Sequence, residues 1–301
     1  MADRTDLAQR FDEQRPHLRA VAYRMLGSLA EADDAVQDAW LRASRAGAAD
    51  VDNLRGWLTT IVARLCLDRL RTRASRREEA IDRLDVTVPD PVVTSPDVVD
   101  PEQEAIVAES VGLAMLIVLE TLSPAERLAF VLHDTFALPF EQIAPIVGRN
   151  VEATRQLASR ARRRVRGATA STEVPLKRQW ELVDAFLAAA REGDFDALMR
   201  VLDPAIVARA DAGSAVTPFG RSRRIDGAEA VARQAMSFAR LAPGARRAIV
   251  NGSAGLVVFI EGRRYAVLAM SFGPDSIREL DILVDPERLA GLELGAVAPA
   301  G

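Results

Sequence analysis

Apolar residues recur along this chain with two different periods. Leu18, Val21, Ala22, Met25 and Leu26 fall three and four apart and predict a helix with one buried stripe. A second helix is expected from Glu31 to about Ser44. After the loop RAGAADVD, Asp52 or Asn53 can cap a third, on which Leu54, Leu58, Ile61 and Leu65 share a side before the segment turns basic. Residues 85–101 hold four prolines and no helical period, which predicts a linker. Helical spacing resumes by Glu104 and runs to about Arg166, and GATASTEVP breaks it again. From Lys177 the pattern changes. A long helix (QWELVDAFLAAAREG) and a short one near Phe195–Leu202 lead into strand-like runs GLVVFIEG, RRYAVLAMSF and SIRELDILV with turn residues between them. The reading is multidomain: two all-α domains, then an α+β domain. The boundaries are drawn at 1–84, a proline-rich acidic linker 85–103, 104–168, a short linker 169–176, 177–289, and a tail 290–301.

Charge sharpens this division. The 301 residues sum to a net −4, yet Arg64–Arg77 carries six arginines against one aspartate and Arg149–Arg166 seven against one glutamate. Between them, Glu78–Glu126 holds twelve acids and one arginine. Two basic patches parted by an acidic tether predict two contacts with a polyanion. Arginine supplies nearly all the positive charge, since Lys177 is the only lysine. Its forked donors match phosphate and guanine.

On a helix over 151–166, Val151, Thr154, Leu157, Ala158, Ala161 and Val165 share one face. Arg155, Gln156, Ser159, Arg160 and Arg163 share the other. Upstream lie the short helix FEQIAPIV and the turn GRN, with Asn150 placed to cap. Short helix, glycine turn and basic helix make a helix-turn-helix whose second helix enters the major groove. Arg162, Arg164 and Arg166 are then expected to meet phosphates. Pro145 predicts that the first helix is kinked or shortened.

Other chemistry is thin. Cys66 is the single cysteine, so no intrachain disulfide or cysteine-rich metal site forms, and His17 and His133 lack ligand spacing. No metal or cofactor is expected. The polar N-terminus has no signal-peptide core and no apolar run reaches membrane-spanning length, so a cytoplasmic protein without a membrane partner is expected. The absence of histidine after His133, and of an obvious acid–base pair, argues against an enzyme.

The order AEADDAVQDAWLRAS, NLRGWLTTIVARLCLDRLRTRASRR, acidic linker, LSPAERLAFVLHDTFALPFEQIAPIVGRNVEATRQLASRARRRVR resembles extracytoplasmic-function (ECF) sigma factors of bacterial RNA polymerase over residues 8–168. The resemblance implies that the chain binds core polymerase, at the β′ clamp helices and β flap, and directs it to promoter −10 and −35 elements. DDAVQDAWLR resembles region 2.2, which implies polymerase contacts at Asp33, Asp34, Gln37, Asp38 and Trp40. NLRGWLTTIVARLCLDRLRTR resembles regions 2.3 and 2.4, which implies −10 contacts at Asn53, Arg55, Trp57, Arg64, Asp68, Arg71 and Arg73. Arg76 and Arg77 would join Arg64, Arg71 and Arg73 on backbone phosphates, and the loop Ala46–Asn53 would hold a flipped base. Trp57 could stack on a base, though it shares the apolar side of its helix and packing is the better reading. Residues 120–168 resemble region 4, which implies −35 reading by Arg155, Gln156, Ser159, Arg160 and Arg163.

The residues after 170 resemble a SnoaL-like domain of the NTF2 superfamily, and the whole chain resembles the SnoaL-fused, SigJ-like ECF subgroup. Three short segments carry this: Val88-Pro89-Asp90-Pro91 for the linker motif Leu-Pro-Glu-Pro, Asp211-Ala212-Gly213-Ser214 for an Asp-Gly-Gly-Gly loop, and Asp285-Pro286-Glu287-Arg288-Leu289 for Asn-Pro-Asp-Lys-Leu. The subgroup implies regulatory contacts among Pro89, Asp90, Pro91, Asp211, Gly213, Asp285 and Pro286. It also implies a fused domain that stands in for a separate anti-sigma factor. A chain that carries its own inhibitor can work alone, so a monomer is expected when free. The competing reading is a polymerase-independent helix-turn-helix regulator with a ligand-sensing domain. The segment like region 2 separates the two, because a simple repressor has no use for it.

Overall fold

The structure is a computed structural model that describes residues 2–46, 51, 53–79, 87–96, 113–168, 174–213, 221–294 and 297. It divides into two compact bodies: residues 1–83 with 115–169, and residues 84–114 with 170–301.

The first body is helical. Helices α1 (Ala2–Leu26), α2 (Leu29–Ala46) and α3 (Leu54–Glu79) pack on one another. The expected stripe lies at their centre, with Leu18, Val21, Ala22, Met25 and Leu26 all buried. Asn53 caps α3, its Oδ1 accepting from Gly56 N at 2.9 Å. The second half holds α4 (Leu113–Glu120), α5 (Pro124–Phe130), a π-helical turn over Val131–Thr135, α6 (Phe140–Val147) and α7 (Val151–Ala168). The start of α5 has a capping box: Ser123 Oγ accepts from Glu126 N and Glu126 Oε2 accepts from Ser123 N, with Pro124 in the first turn.

The two halves of this body touch. Arg127, 2% exposed, bonds Glu120 at 2.6 Å and donates from Nε to Arg24 O in α1 at 3.1 Å. Arg71 of α3 reaches Val147 O at 3.4 Å.

The second body is α+β. One sheet runs in the order β1-β4-β5-β6-β7-β2-β3, where β1 is Val93–Thr94, β2 Leu202–Asp211, β3 Arg223–Asp226, β4 Ala245–Val250, β5 Ser253–Ile260, β6 Arg263–Phe272 and β7 Ile277–Leu283. Neighbours are antiparallel except β2 and β7. Helices α8 (Leu176–Glu192), α9 (Phe195–Val201) and α10 (Ala228–Ser237) cover one face, where Phe186, Leu198, Val231, Leu256, Met270 and Leu280 form the main core. A short α11 (Pro286–Gly291) follows β7.

The three expected strands are β5, β6 and β7. Asn251-Gly252 and Glu261-Gly262, all four at positive φ, make the two hairpin turns that frame β5. Residues 93–94, read as linker from the sequence, instead form the edge strand β1 on β4, with Val93 opposite Val250. The expected resumption of helix at Glu104 and most of the loop 46–53 lie outside the described residues.

Candidate functional site

The helix-turn-helix forms as its spacing predicts. Gly148 ends α6 with φ +75° and donates to Ala144 O, and Asn150 Oδ1 then accepts from Ala153 N at 2.8 Å to start α7. Pro145 sits inside α6 without ending it. It lies on the exposed side, where water can serve a backbone carbonyl that a proline has no N–H to reach. On α7, Thr154, Ala158, Ala161 and Val165 are buried, whereas Arg155, Gln156, Ser159, Arg160 and Arg163 are exposed.

The exposed arginines are not equally free. Arg155 has only loose ion pairs with Glu141 (3.5 Å) and Glu152 (3.9 Å) and lies 5.8 Å from the Phe140 ring centre. Arg160 and Arg164 each donate to Glu126 at 3.0 Å, and Arg162 donates to Asp134 at 2.7 Å. Burial works against the Glu126 charge, but Ser123 and Arg160 more than offset it and hold the carboxyl below its usual range. One acid therefore caps α5 and orients two arginines of α7. The sequence carried this signal in Ser-Pro-Ala-Glu, but the double use of Glu126 depends on tertiary packing.

The residues expected at the −10 element lie along α3. Asn53, Arg55, Arg64, Asp68 and Arg71 are exposed, and Trp57 and Arg73 are half-buried. Arg55 donates to His17 Nδ1 at 2.9 Å, which leaves His17 Nε2 as the donor to Thr59 Oγ1 at 3.1 Å. Burial, then Arg55 and Arg24, push the His17 pKa down to about 4. Arg73 is held by Leu26 O at 3.1 Å and by an ion pair with Glu31. Arg71 pairs loosely with Asp68 at 3.9 Å. The Arg76 and Arg77 side chains lie outside the described residues. Cys66 is fully buried, and burial pushes its thiol up to about 12, the environment of a packing residue rather than a reactive thiolate.

On α2, Asp33, Asp34 and Gln37 are exposed, and Asp38 and Trp40 half-buried. Asp33 receives Arg19 and Asp38 receives Arg69, both at 2.7 Å. Trp40 packs on Phe11 with ring centres 5.1 Å apart.

The three short segments singled out in the sequence converge within the second body. Val88, Pro89, Asp90 and Pro91 are all buried. Arg288 is the hub. Its Nε donates to Asp90 Oδ1 at 2.6 Å, Nη1 to Asp211 Oδ2 at 2.7 Å, and Nη2 to Val88 O at 2.5 Å. Asp211 Oδ2 also accepts from Val88 N at 2.9 Å. Burial opposes the Arg288 charge, but Asp90 and Asp211 more than offset this and raise its pKa further. Asp285 caps α11 by accepting from Glu287 N and Arg288 N, which fixes the backbone that carries the hub. Gly213 has φ +58°, and a Cβ there would overlap Asp285 Oδ2. The glycine retained from the loop motif is thus the one the packing needs. One residue further on, Asn251 brackets Val92, donating N–H to its carbonyl at 2.8 Å and accepting its N–H at 2.6 Å. Arg288 and Asn251 were missing from the expected regulatory set. Arg288 was legible as the lysine counterpart of the tail motif, whereas nothing local marks Asn251 beyond its hairpin turn.

Among the described residues no group of histidine, cysteine and acid side chains is arranged to hold a metal, and no helix is long and apolar enough to cross a membrane.

A helix-turn-helix behind a second basic helical module, with a linker clasped by an α+β body, defines a class of transcription proteins, and the comparisons agree. Residues 11–76 match the family model for Sigma-70 region 2, and residues 114–165 that for Sigma-70 region 4. The chain belongs to the ECF sigma factors of RNA polymerase, a family whose role is not enzymatic and whose partners are core polymerase and promoter DNA. Among its relatives is the probable ECF RNA polymerase sigma factor SigI of Mycobacterium tuberculosis, 36% identical over 283 residues, covering 93% of this chain and 94% of SigI. The ECF sigma factor SigJ of the same species is 40% identical over 252 residues, covering 81% of this chain and 78% of SigJ. The SigJ crystal structure superposes with a TM-score of 0.74 at 33% identity, covering 95% of this chain and 99% of that one, so the match extends through the α+β body.

Proposed function

We propose that this sigma factor reads a −35 element with Arg155, Gln156, Ser159, Arg160 and Arg163 and a −10 element with the α3 residues Asn53 to Arg73. Asp33, Asp34, Gln37, Asp38 and Trp40 meet the β′ clamp helices, and the region 4 domain meets the β flap. The protein acts in the cytoplasm as a monomer, and its own C-terminal domain serves in place of a separate anti-sigma factor. That domain is regulatory rather than catalytic: of its buried acids, Asp281 is bound to Arg209 at 3.0 Å, and Asp90 and Asp211 are both taken up by Arg288.

The observation that carries the regulatory reading is the Arg288 clasp on the linker. The −10 and −35 elements are separated by some 25 base pairs, roughly 80 Å of duplex at about 3.4 Å per step. A compact body the size of residues 1–83 with 115–169 has a radius of gyration of only about 14 Å. The two DNA-reading modules must therefore part to engage both elements, and the linker between them is what has to pay out. Pinning residues 88–94 to the C-terminal body restrains that motion. A tethered clamp needs little intrinsic affinity for this, because its effective concentration is high.

In vitro transcription with core polymerase tests both parts. Full-length protein and truncations after Arg166 and after Val284 should all direct defined start sites, but with different yields, since the second truncation removes Arg288 while keeping the sheet. Equal yields from all three would refute control by the domain. Failure of every form to bind core polymerase or to select a start site would refute the promoter-reading assignment.

A further inference from the structure

Within the α+β body, between the helices and the sheet, lies a cavity of about 100 Å³. Its wall is mostly aliphatic and aromatic, including Phe186, Ala208, Ala210, Leu256, Leu268 and Leu280. Two arginines border it and they differ. Arg209 is already bound, by Asp281 at 3.0 Å and Glu279 at 3.3 Å. Arg223 stands on the short edge strand β3, opposite Ala210 and in line with Ile225, so strand alternation places it on the cavity side. Its Nε is shut off from solvent and has no hydrogen-bond partner among the described residues. A charged donor left unmet in a closed place is costly and uncommon in native proteins. An apolar cavity of comparable size, about 150 Å³, stays dry and takes up benzene. Apolar walls bordered by a guanidinium whose Nε lacks a partner call for a ligand that is mostly hydrocarbon and carries one negative charge.

We propose that this cavity binds a small, largely apolar monocarboxylate, with its tail among Phe186, Leu256, Leu268 and Leu280 and its carboxylate on Arg223. A carboxylate matches the guanidinium fork in shape, and one cation balances one charge. The buried part of the ligand is limited to roughly six to eight heavy atoms by the cavity size. The inference rests on the α+β body alone and is independent of the promoter-reading assignment.

The test is methyl NMR on the full-length chain with hexanoate as the probe, and hexan-1-ol and hexylammonium as its neutral and cationic counterparts. Hexanoate should produce saturable shifts confined to cavity methyls such as those of Ala210, Leu256 and Ile225. It should bind roughly tenfold or more tightly than hexan-1-ol, the scale of a charge-assisted hydrogen bond, and hexylammonium should bind least. Arg223→Gln should erase the preference for hexanoate while leaving hexan-1-ol binding unchanged, and Ala210→Phe, which fills the space, should abolish both. The ligand series on the unaltered chain keeps the test decisive even if a variant does not fold. Absence of saturable shifts, equal affinity for hexanoate and hexan-1-ol, or an Arg223→Gln protein that still prefers hexanoate would each overturn the proposal.

Discussion

His17 shows how a single side chain can tie neutral pH to the packing of a helical body. It accepts from Arg55, donates to Thr59, and meets the Phe136 ring edge-on with centres 5.2 Å apart. Burial opposes its protonation most, and the nearby cations Arg55 and then Arg24 oppose it further. The folded chain therefore binds this proton less readily than the unfolded chain does. The stability it contributes is present above the ordinary histidine range and drains away as pH falls from about 6.5 toward about 4. Urea unfolding of the full chain at pH 7 and pH 5 should show a drop in midpoint on acidification, and His17→Gln should shrink that drop. An unchanged drop would move the cause to other groups. Neither the direction nor the partners could be read from the sequence, where His17 is one histidine beside a proline. Arg55 and Thr59 come from α3 and Phe136 from the second half of the body.

At the scale of the element, α7 was legible almost residue by residue, because an amphipathic helix writes its two faces into the spacing. What the spacing does not disclose is that Glu126 holds Arg160 and Arg164 while Arg155 stands nearly free. This splits two substitutions that look alike in sequence. Arg155→Ala should weaken −35-dependent initiation, by about 1–3 kcal/mol of recognition if it reads a base edge, with thermal stability unchanged. Arg160→Ala should lower initiation and also cost some stability, since it strips a partner from the buried Glu126. Melting curves alongside transcription assays on both variants check this, and an equal loss of stability would contradict it. The strands were legible unevenly for a related reason. β5 and β6 are apolar runs bounded by glycine turns. β2 opens on Leu202-Asp203-Pro204, which reads as a turn, and carries Arg209 in its interior, a residue tolerated there because Asp281 and Glu279 of β7 receive it. Long-range pairing pays for a local exception.

At the scale of the whole molecule, the division into two helical modules and an α+β body followed from proline breaks, charge blocks and the change of period. The ownership of the linker did not, because a two-residue strand such as β1 has no pattern of its own and exists through Val250, Ile249 and Asn251, more than 150 positions away. The C-terminal body is thus completed by a piece of chain that precedes the DNA-reading helices of the second half. Cutting the gene at the apparent border would deprive β4 of its neighbour and of the bracket on Val92. A fragment beginning near residue 174 would present an unpaired rim of backbone donors and acceptors, the feature that drives sheets to stick to one another. Such a fragment should oligomerise by light scattering, and a synthetic peptide of residues 86–96 added in trans should restore a single soluble species. A monodisperse fragment indifferent to the peptide would contradict this. Evolutionary shuffling of the body between proteins would meet the same constraint: it could be transplanted only together with its distant strap.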